Sequence, residues 1–209
     1  MLKILIVDDH AVVRQGLRNI LTDGIGEYTF GEAQNGAEVL NLTRKQKWDI
    51  IIMDISMPGR NGLEVLKDLK RVNKNLPVLI LSIHPEDQYA IRALRSGASG
   101  YITKGSAPEE LVKAVRKILA GEKYISADLA RKLPFYLDSE MEKTPHEKLS
   151  DREYQVMCMM GSGKAATQIA EELSLSVKSI STYRTRILEK LGLTTSAEII
   201  HYAIENKLV

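Results

Sequence analysis

Ile50-Ile51-Ile52-Met53-Asp54 runs through four apolar residues and stops on a carboxylate, and Ile4-Leu5-Ile6-Val7-Asp8-Asp9 does the same near the start of the chain. A run that is apolar at every position, with no polar alternation, must be covered on both faces, as in a parallel sheet between helices. Working outward from these two runs, β-branched stretches predict strands over 3–7, 28–33, 50–54, 78–82 and 100–103, each followed by an amphipathic stretch. After the first strand, Val12, Val13, Leu17, Ile20 and Leu21 recur at helical spacing and are expected to face the core. Leu111, Val112, Val115, Ile118 and Leu119 do so after the last, with Pro108 suited to that helix's first turn. The fold class is α/β, a doubly wound five-stranded parallel sheet.

The chemistry of this half lies at one edge. Asp8 and Asp9 follow the first strand and Asp54 ends the third. In an open parallel sheet the carboxyl ends of the strands form the ligand-binding edge, at the point where strand order reverses. A flavodoxin-like order of 2-1-3-4-5 sets the first and third strands side by side and brings the three acids together. At a separation of ~5 Å and an effective dielectric of ~20, each pair of carboxylates repels by roughly 3 kcal/mol, so a cation is needed. Mg²⁺, which binds through one or two carboxylates and water, suits the place. Lys104 at the end of the fifth strand adds a second cation and Ser82 at the end of the fourth a hydroxyl. A carboxylate nucleophile, a metal, a lysine and a hydroxyl donor suffice for phosphoryl transfer. Asp54, fixed on a rigid apolar strand, is the best nucleophile, while Asp8 and Asp9 lie on a turn suited to metal contact.

From residue 149 onward strand signals vanish and helical patterns take over. The reading is a sheet domain over 1–121, a linker over 122–146 that holds Pro134 and Pro145 and a possible short helix at 126–133, and an all-α domain over 147–209. Ser150 and Glu153 have capping-box spacing. A helix over 165–173 with Ile169, Ala170 and Leu173 inward, a turn at 174–176 and a helix over 177–191 have helix-turn-helix spacing. On the second of these, Val177, Ile180, Ile187, Leu188 and Leu191 should face the core, leaving Lys178, Thr182, Thr185 and Arg186 on the other side. Short hydroxyl side chains with basic residues suit the DNA major groove. A solvated helix face in a small bundle is the plainer alternative. Arg184 falls within the core-facing arc and is expected to pair with an acid such as Glu153.

Bulk properties exclude rather than identify. The chain has 209 residues, 44% hydrophobic and 27% charged, which is ordinary for a globular protein and argues against a fibrous or wholly disordered one. A net charge of +2 is too small for polyelectrolyte binding, so nucleic-acid affinity must come from a local patch. Cys158 is the one cysteine, which excludes an internal disulfide and fits a reducing compartment; its place among Met157, Met159 and Met160 suits packing. The first apolar run is cut by Asp8 and Asp9, short of a signal core or a membrane span. The expected location is cytoplasmic.

Ile6-Val7-Asp8-Asp9-His10, Met53-Asp54-Ile55-Ser56-Met57-Pro58-Gly59 with Asn61-Gly62, Leu81-Ser82, and Gly97-Ala98-Ser99-Gly100-Tyr101-Ile102-Thr103-Lys104 resemble the receiver domain of two-component response regulators. Leu149-Ser150-Asp151-Arg152-Glu153, Ile169-Ala170-Glu171-Glu172-Leu173, Lys178-Ser179-Ile180 and Ile187-Leu188-Glu189-Lys190-Leu191 resemble the LuxR-type DNA-binding domain, and the whole chain is similar to NarL-type regulators. The resemblance implies that Asp54 is the phospho-acceptor, that Asp9 and Asp54 ligate Mg²⁺ with Asp8 acting through water, and that the main-chain carbonyl of Ser56 completes the set. It implies that Ser82 bonds the phosphate, Lys104 pairs with it, and Tyr101 reorients as the switch. It implies base or phosphate contacts for Lys178, Ser181, Thr182, Thr185 and Arg186, and a dimerising last helix near 196–206. The implied partners are a sensor histidine kinase, DNA with inverted half-sites, a second copy of the chain, and RNA polymerase, with no membrane. The protein would accept a phosphoryl group on its own aspartate and would not be a turnover enzyme. Gly105 stands where many receivers have proline, which leaves the backbone after Lys104 open. Two other readings stay open: a DNA-binding regulator that ignores phosphorylation and uses its receiver for dimerisation, and an aspartate-nucleophile phosphatase. The second lacks an acid two residues after the nucleophile, where Ser56 stands.

Overall fold

The continuously apolar runs become strands β1 (Lys3–Val7), β2 (Thr29–Ala33), β3 (Ile50–Asp54), β4 (Val78–Ser82) and β5 (Gly100–Thr103) in a computed structural model. The model describes residues 1–131 and 144–209. Between and after the strands run α1 (Ala11–Ile25), α2 (Gly36–Lys45), α3 (Gly62–Val72), α4 (Glu86–Arg95) and α5 (Pro108–Leu119). All neighbours are parallel, in the order β2-β1-β3-β4-β5. Register explains how the edge is built. Val7 lies beside Met53, and Asp54 beside Leu81, so one step past Val7 brings Asp8 alongside Asp54. Ser82 lies beside Thr103, so Lys104 leaves the sheet at the same level.

One sheet face carries Ile4, Ile6, Ile50, Ile52, Leu79, Leu81 and Ile102 against Leu17 and Leu21 of α1 and Leu111, Val115 and Ile118 of α5. Each side chain of this kind, fully buried, contributes roughly 1.5–3 kcal/mol. The apolar face of α1 differs from expectation. Val12 is 85% exposed, and Arg14 is buried alongside Leu17 and Leu21. The packing of this unit runs past residue 121: Tyr124 joins the core and bridges Gly100, and Ser126 Oγ donates to Glu86. The expected short helix is helical over 127–131, and the remainder of that segment, with Pro134, lies outside the described residues.

The chain divides into units Met1–Leu133 and Pro134–Val209. In the second, a 3₁₀ turn (Pro145–Lys148) precedes α6 (Asp151–Gly161), α7 (Ala166–Glu172), α8 (Val177–Leu191) and α9 (Ser196–Glu205). Ser150 and Glu153 form the expected capping box at the start of α6. Ser176 caps α8, its side chain accepting from Ser179 N, and Gly192 ends that helix with φ 68°, a left-handed conformation glycine adopts without strain. Ile169, Ala170, Leu173, Ile180 and Ile187 are buried as expected, and so is Cys158.

Two expectations for α8 need correction. Val177, the first residue of α8, is 48% exposed, whereas Ile180 and Ile187 further along are buried. Arg184 does not pair with Glu153: its Nε donates to Ser196 Oγ at 2.5 Å, and Glu153 is taken by Lys190, 2.6 Å away. Lys190 reaches the α6 cap from the last turn of α8, which Arg184, six residues earlier on the helix, does not. Among the described residues no helix is long and apolar enough to cross a membrane.

Candidate functional site

Strand β3 delivers Asp54 to the sheet edge almost fully buried, and Asp8 is buried beside it. Lys104 Nζ lies between them, 2.8 Å from Asp54 Oδ2 and 2.6 Å from Asp8 Oδ2. Burial pushes the Asp54 carboxyl above its ordinary pKa; Lys104 pulls it back, and the Asp8 charge pushes the same way as burial. Burial works against the charge on Lys104, but Asp54 and Asp8 outweigh it and raise the amine. The loops are tied to the same carboxylates. His10 N–H donates to Asp8 Oδ1 at 2.9 Å, and Ser56 N–H donates to Asp54 Oδ1 at 3.2 Å.

The acids fit a cation. Asp8, Asp9 and His10 offer ligand atoms within 4.8 Å of one another, and Asp9 Oδ1 is buried without a hydrogen bond, its neighbour being the His10 ring nitrogen at 2.9 Å. Lys104 pairs with Asp8 and Asp54, and Asp9 adds a third carboxylate, so the acids outnumber the lysine. Charge and the carboxylate oxygens both suit a hard divalent ion.

Ser82 is buried, and its Oγ accepts from His84 N–H at 3.1 Å. Tyr101 is buried with its ring inward, and its hydroxyl donates to the His84 carbonyl at 2.8 Å. His84 meets Ser56 Oγ through Nε2 at 3.2 Å and stacks on Tyr89 at 4.5 Å. Ser56, Ser82 and Tyr101 therefore all bond one residue that was not singled out in the sequence.

Two more residues escaped the sequence reading. Arg14 turns its guanidinium toward the β1 exit, donating to the Asp8 carbonyl at 2.9 Å and to Glu32 Oε2 at 2.8 Å. Gly62 begins α3 against the backbone that follows the buried acid; a Cβ there would stand 2.2 Å from the Asp54 carbonyl oxygen and 2.9 Å from Ile55 Cα. Asn61-Gly62 stood within the quoted motif, but only the fold shows what the glycine clears. Arg14 gave no signal, because a cation amid an apolar stripe reads as an interruption.

In the second unit Lys178, Ser181, Thr182, Thr185 and Arg186 are all exposed on α8. The Thr182 and Thr185 hydroxyls donate back to the carbonyls of Lys178 and Ser181, at 3.0 and 3.1 Å. Each keeps acceptor capacity toward solvent. The face holds two cations and three hydroxyls, in keeping with a phosphate- and base-reading surface.

The response regulator receiver domain family matches residues 4–116, and the bacterial regulatory proteins of the luxR family match residues 147–203. The chain is 36% identical over 209 residues to the response regulator UvrY of Escherichia coli (strain K12), covering 100% of this chain and 96% of the relative. It is 37% identical over 210 residues to the response regulator GacA of Pseudomonas aeruginosa, covering 100% and 98%. A solved structure of RcsB from Salmonella enterica serovar Typhimurium, bound to a promoter in the presence of a phosphomimetic, is similar with a TM-score of 0.59 and 26% identity, over 96% of this chain and 97% of that one. Sheet order, acidic edge and helix-turn-helix agree with these likenesses, and the chain belongs to the two-component response regulators, joining a receiver domain to a LuxR-type helix-turn-helix domain.

Proposed function

We propose that a sensor histidine kinase transfers a phosphoryl group to Asp54, and that the modified chain binds DNA as a dimer through α8 to control transcription. Residues 1–121 would carry the phosphoryl chemistry, 122–146 the connection and 147–209 the DNA contacts. The observation that carries the reading is a buried carboxylate, Asp54, with an ammonium 2.8 Å away and a second acid beside it across the β1–β3 pair. An Asp54 oxygen attacks phosphorus as the P–N bond of the phosphohistidine breaks, and the leaving imidazole keeps the electron pair and takes up a proton. Asp9, Asp54 and the Ser56 carbonyl would hold Mg²⁺, with Asp8 acting through water; the ion supplies positive charge to phosphoryl oxygens.

The chain's own groups do the rest. Lys104, already held at Asp54, pairs with the phosphoryl oxygens and offsets the added charge of about −1.5 to −2. Ser82 Oγ accepts from His84, which leaves its own proton to donate to the phosphate. Movement of Ser82 is felt at His84 and so at the Tyr101 hydroxyl, which makes Ser82 and Tyr101 the switch pair. Lys178, Ser181, Thr182, Thr185 and Arg186 would meet bases and phosphates, two copies reading inverted half-sites about one helical turn apart. The cytoplasm, where kinase, DNA and RNA polymerase meet, is the expected location, in keeping with the single, buried cysteine.

The test is phosphoryl transfer to the purified full chain, followed by DNA-binding measurements and genome-wide mapping of bound sites. Incorporation into the unmutated protein, its loss in Asp54→Ala, and tighter DNA binding after phosphorylation are expected. Equal incorporation into Asp54→Ala would overturn the assignment, and DNA binding indifferent to phosphorylation would leave the receiver as a dimerisation module alone.

A further inference from the structure

Arg14 is a cation almost wholly buried next to an acidic cluster, yet it spends no hydrogen bond on the cluster's carboxylates. Its Nη1 donates to the main-chain carbonyl of Asp8 at 2.9 Å and reaches toward that of Asp9 at 3.5 Å, while its Nε is held by Glu32 Oε2 at 2.8 Å. Arg18, one helical turn later, holds the other Glu32 oxygen at 3.0 Å. Asp8 N–H is itself bonded to the Ala33 carbonyl at 3.2 Å, so the β1 exit is fastened to the end of β2 directly and through Arg14.

Aim decides what such a charge can do. A guanidinium directed at the Asp8 or Asp9 side chains would occupy oxygens that a metal needs. Directed at their main-chain carbonyls and neutralised by Glu32, it fixes the backbone while leaving the carboxylates' negative charge to the site. The Glu32 carboxyl is held below its ordinary range chiefly by its bond to Arg14, so the pair stays ionised near neutral pH.

We propose that Arg14, anchored by Glu32, is a positioning residue that preorganises Asp8 and Asp9 for the divalent cation, setting the affinity of the site for metal without touching it. The inference rests on the metal reading of the acidic cluster given above. Freed from Arg14, the Asp8–Asp9 turn samples orientations in which its carboxylates diverge to relieve their repulsion, and binding must then reverse that spread.

The test is a titration of the full-length protein with MgCl₂, followed through the backbone amide resonances of residues 8–10, whose dispersion also reports that the domain is folded. Arg14→Met is expected to weaken Mg²⁺ binding about tenfold, and Glu32→Gln to weaken it in the same direction by less, because Arg14 loses its anchor. The double variant should be no weaker than Arg14→Met alone. Arg18→Met removes a cation at the same face without touching the Asp8 carbonyl, and should bind within twofold of the unmutated protein. Folded Arg14→Met with unchanged Mg²⁺ affinity would overturn the inference, as would equal losses in Arg18→Met, which would mark a general charge effect. If Arg14→Met does not fold, Glu32→Gln decides by the same criterion. Failure of the unmutated protein to bind Mg²⁺ would instead overturn the metal reading itself.

Discussion

Asp54 sits in the wrong medium for a charge. Burial and the Asp8 carboxylate both disfavour its ionised form, and Lys104 works against them. The same crowding makes Gly62 indispensable, since a methyl group there meets main-chain atoms that cannot swing aside. Gly62→Ala should destabilise the receiver by about 1–3 kcal/mol, the usual cost of overpacking, seen as a lower urea midpoint. An unchanged midpoint would mean that α3 can shift off the Asp54 backbone. Tyr101→Phe removes the hydrogen bond to the His84 carbonyl and the hydroxyl's interaction with Ser82, and should cost about 1 kcal/mol in the same assay. Because the hydroxyl touches neither Asp54 nor Lys104, phosphoryl incorporation in Tyr101→Phe should stay near that of the unmutated protein while the DNA response weakens.

Among the helices, the end of α8 and the beginning of α6 are joined by one ion pair. Glu153 is buried and accepts from both its own cap at Ser150 and from Lys190. Burial pushes its carboxyl up, but Lys190 and the Ser150 bonds outweigh burial and hold it below the ordinary value. Lys190→Met leaves that carboxylate without its cation and should cost about 2 kcal/mol, less than the roughly 3–5 kcal/mol of a fully buried pair because the Lys190 side chain reaches solvent. A carboxyl whose folded pKa is depressed stabilises above its unfolded value of about 4.3 and ceases to do so as pH falls through the folded value. The gap in melting temperature between the unmutated protein and Lys190→Met should therefore be full at pH 7 and close below about pH 4. A gap constant across that window would assign the effect to packing of the lysine stem.

For the whole chain the measurable quantity is how DNA affinity depends on salt and on phosphorylation. Each phosphate neutralised releases counterions, so removing one phosphate-contacting cation should lower the slope of log affinity against log salt by about 1. Lys178→Ala and Arg186→Ala are each expected to do so, whereas Thr182→Ala should change sequence preference with the slope intact. Slopes unchanged in both charge variants would move the phosphate contacts elsewhere. Phosphorylation should raise the affinity of the full chain, and if it does so by pairing two copies on the DNA the slope should steepen.

Composition and pattern determined the five strands of the receiver to within a residue and the acidic edge, because a sheet buried on both faces leaves no polar position to hide its ends; their order was expected from a flavodoxin-like arrangement, which the sheet has. Local signals also fixed the capping box of α6 and the two helices of the DNA-binding motif. Burial of Arg14, exposure of Val12, the choice of Lys190 over Arg184 as partner to Glu153, and the role of His84 were decided only in the tertiary structure. Periodicity assigns a residue to a helical arc, but which charge on that arc finds a partner depends on what the other elements place opposite it. Arg14 is tolerable inside only because Glu32 on β2 and the Asp8 carbonyl just past β1, 18 and 6 residues away, meet its donors.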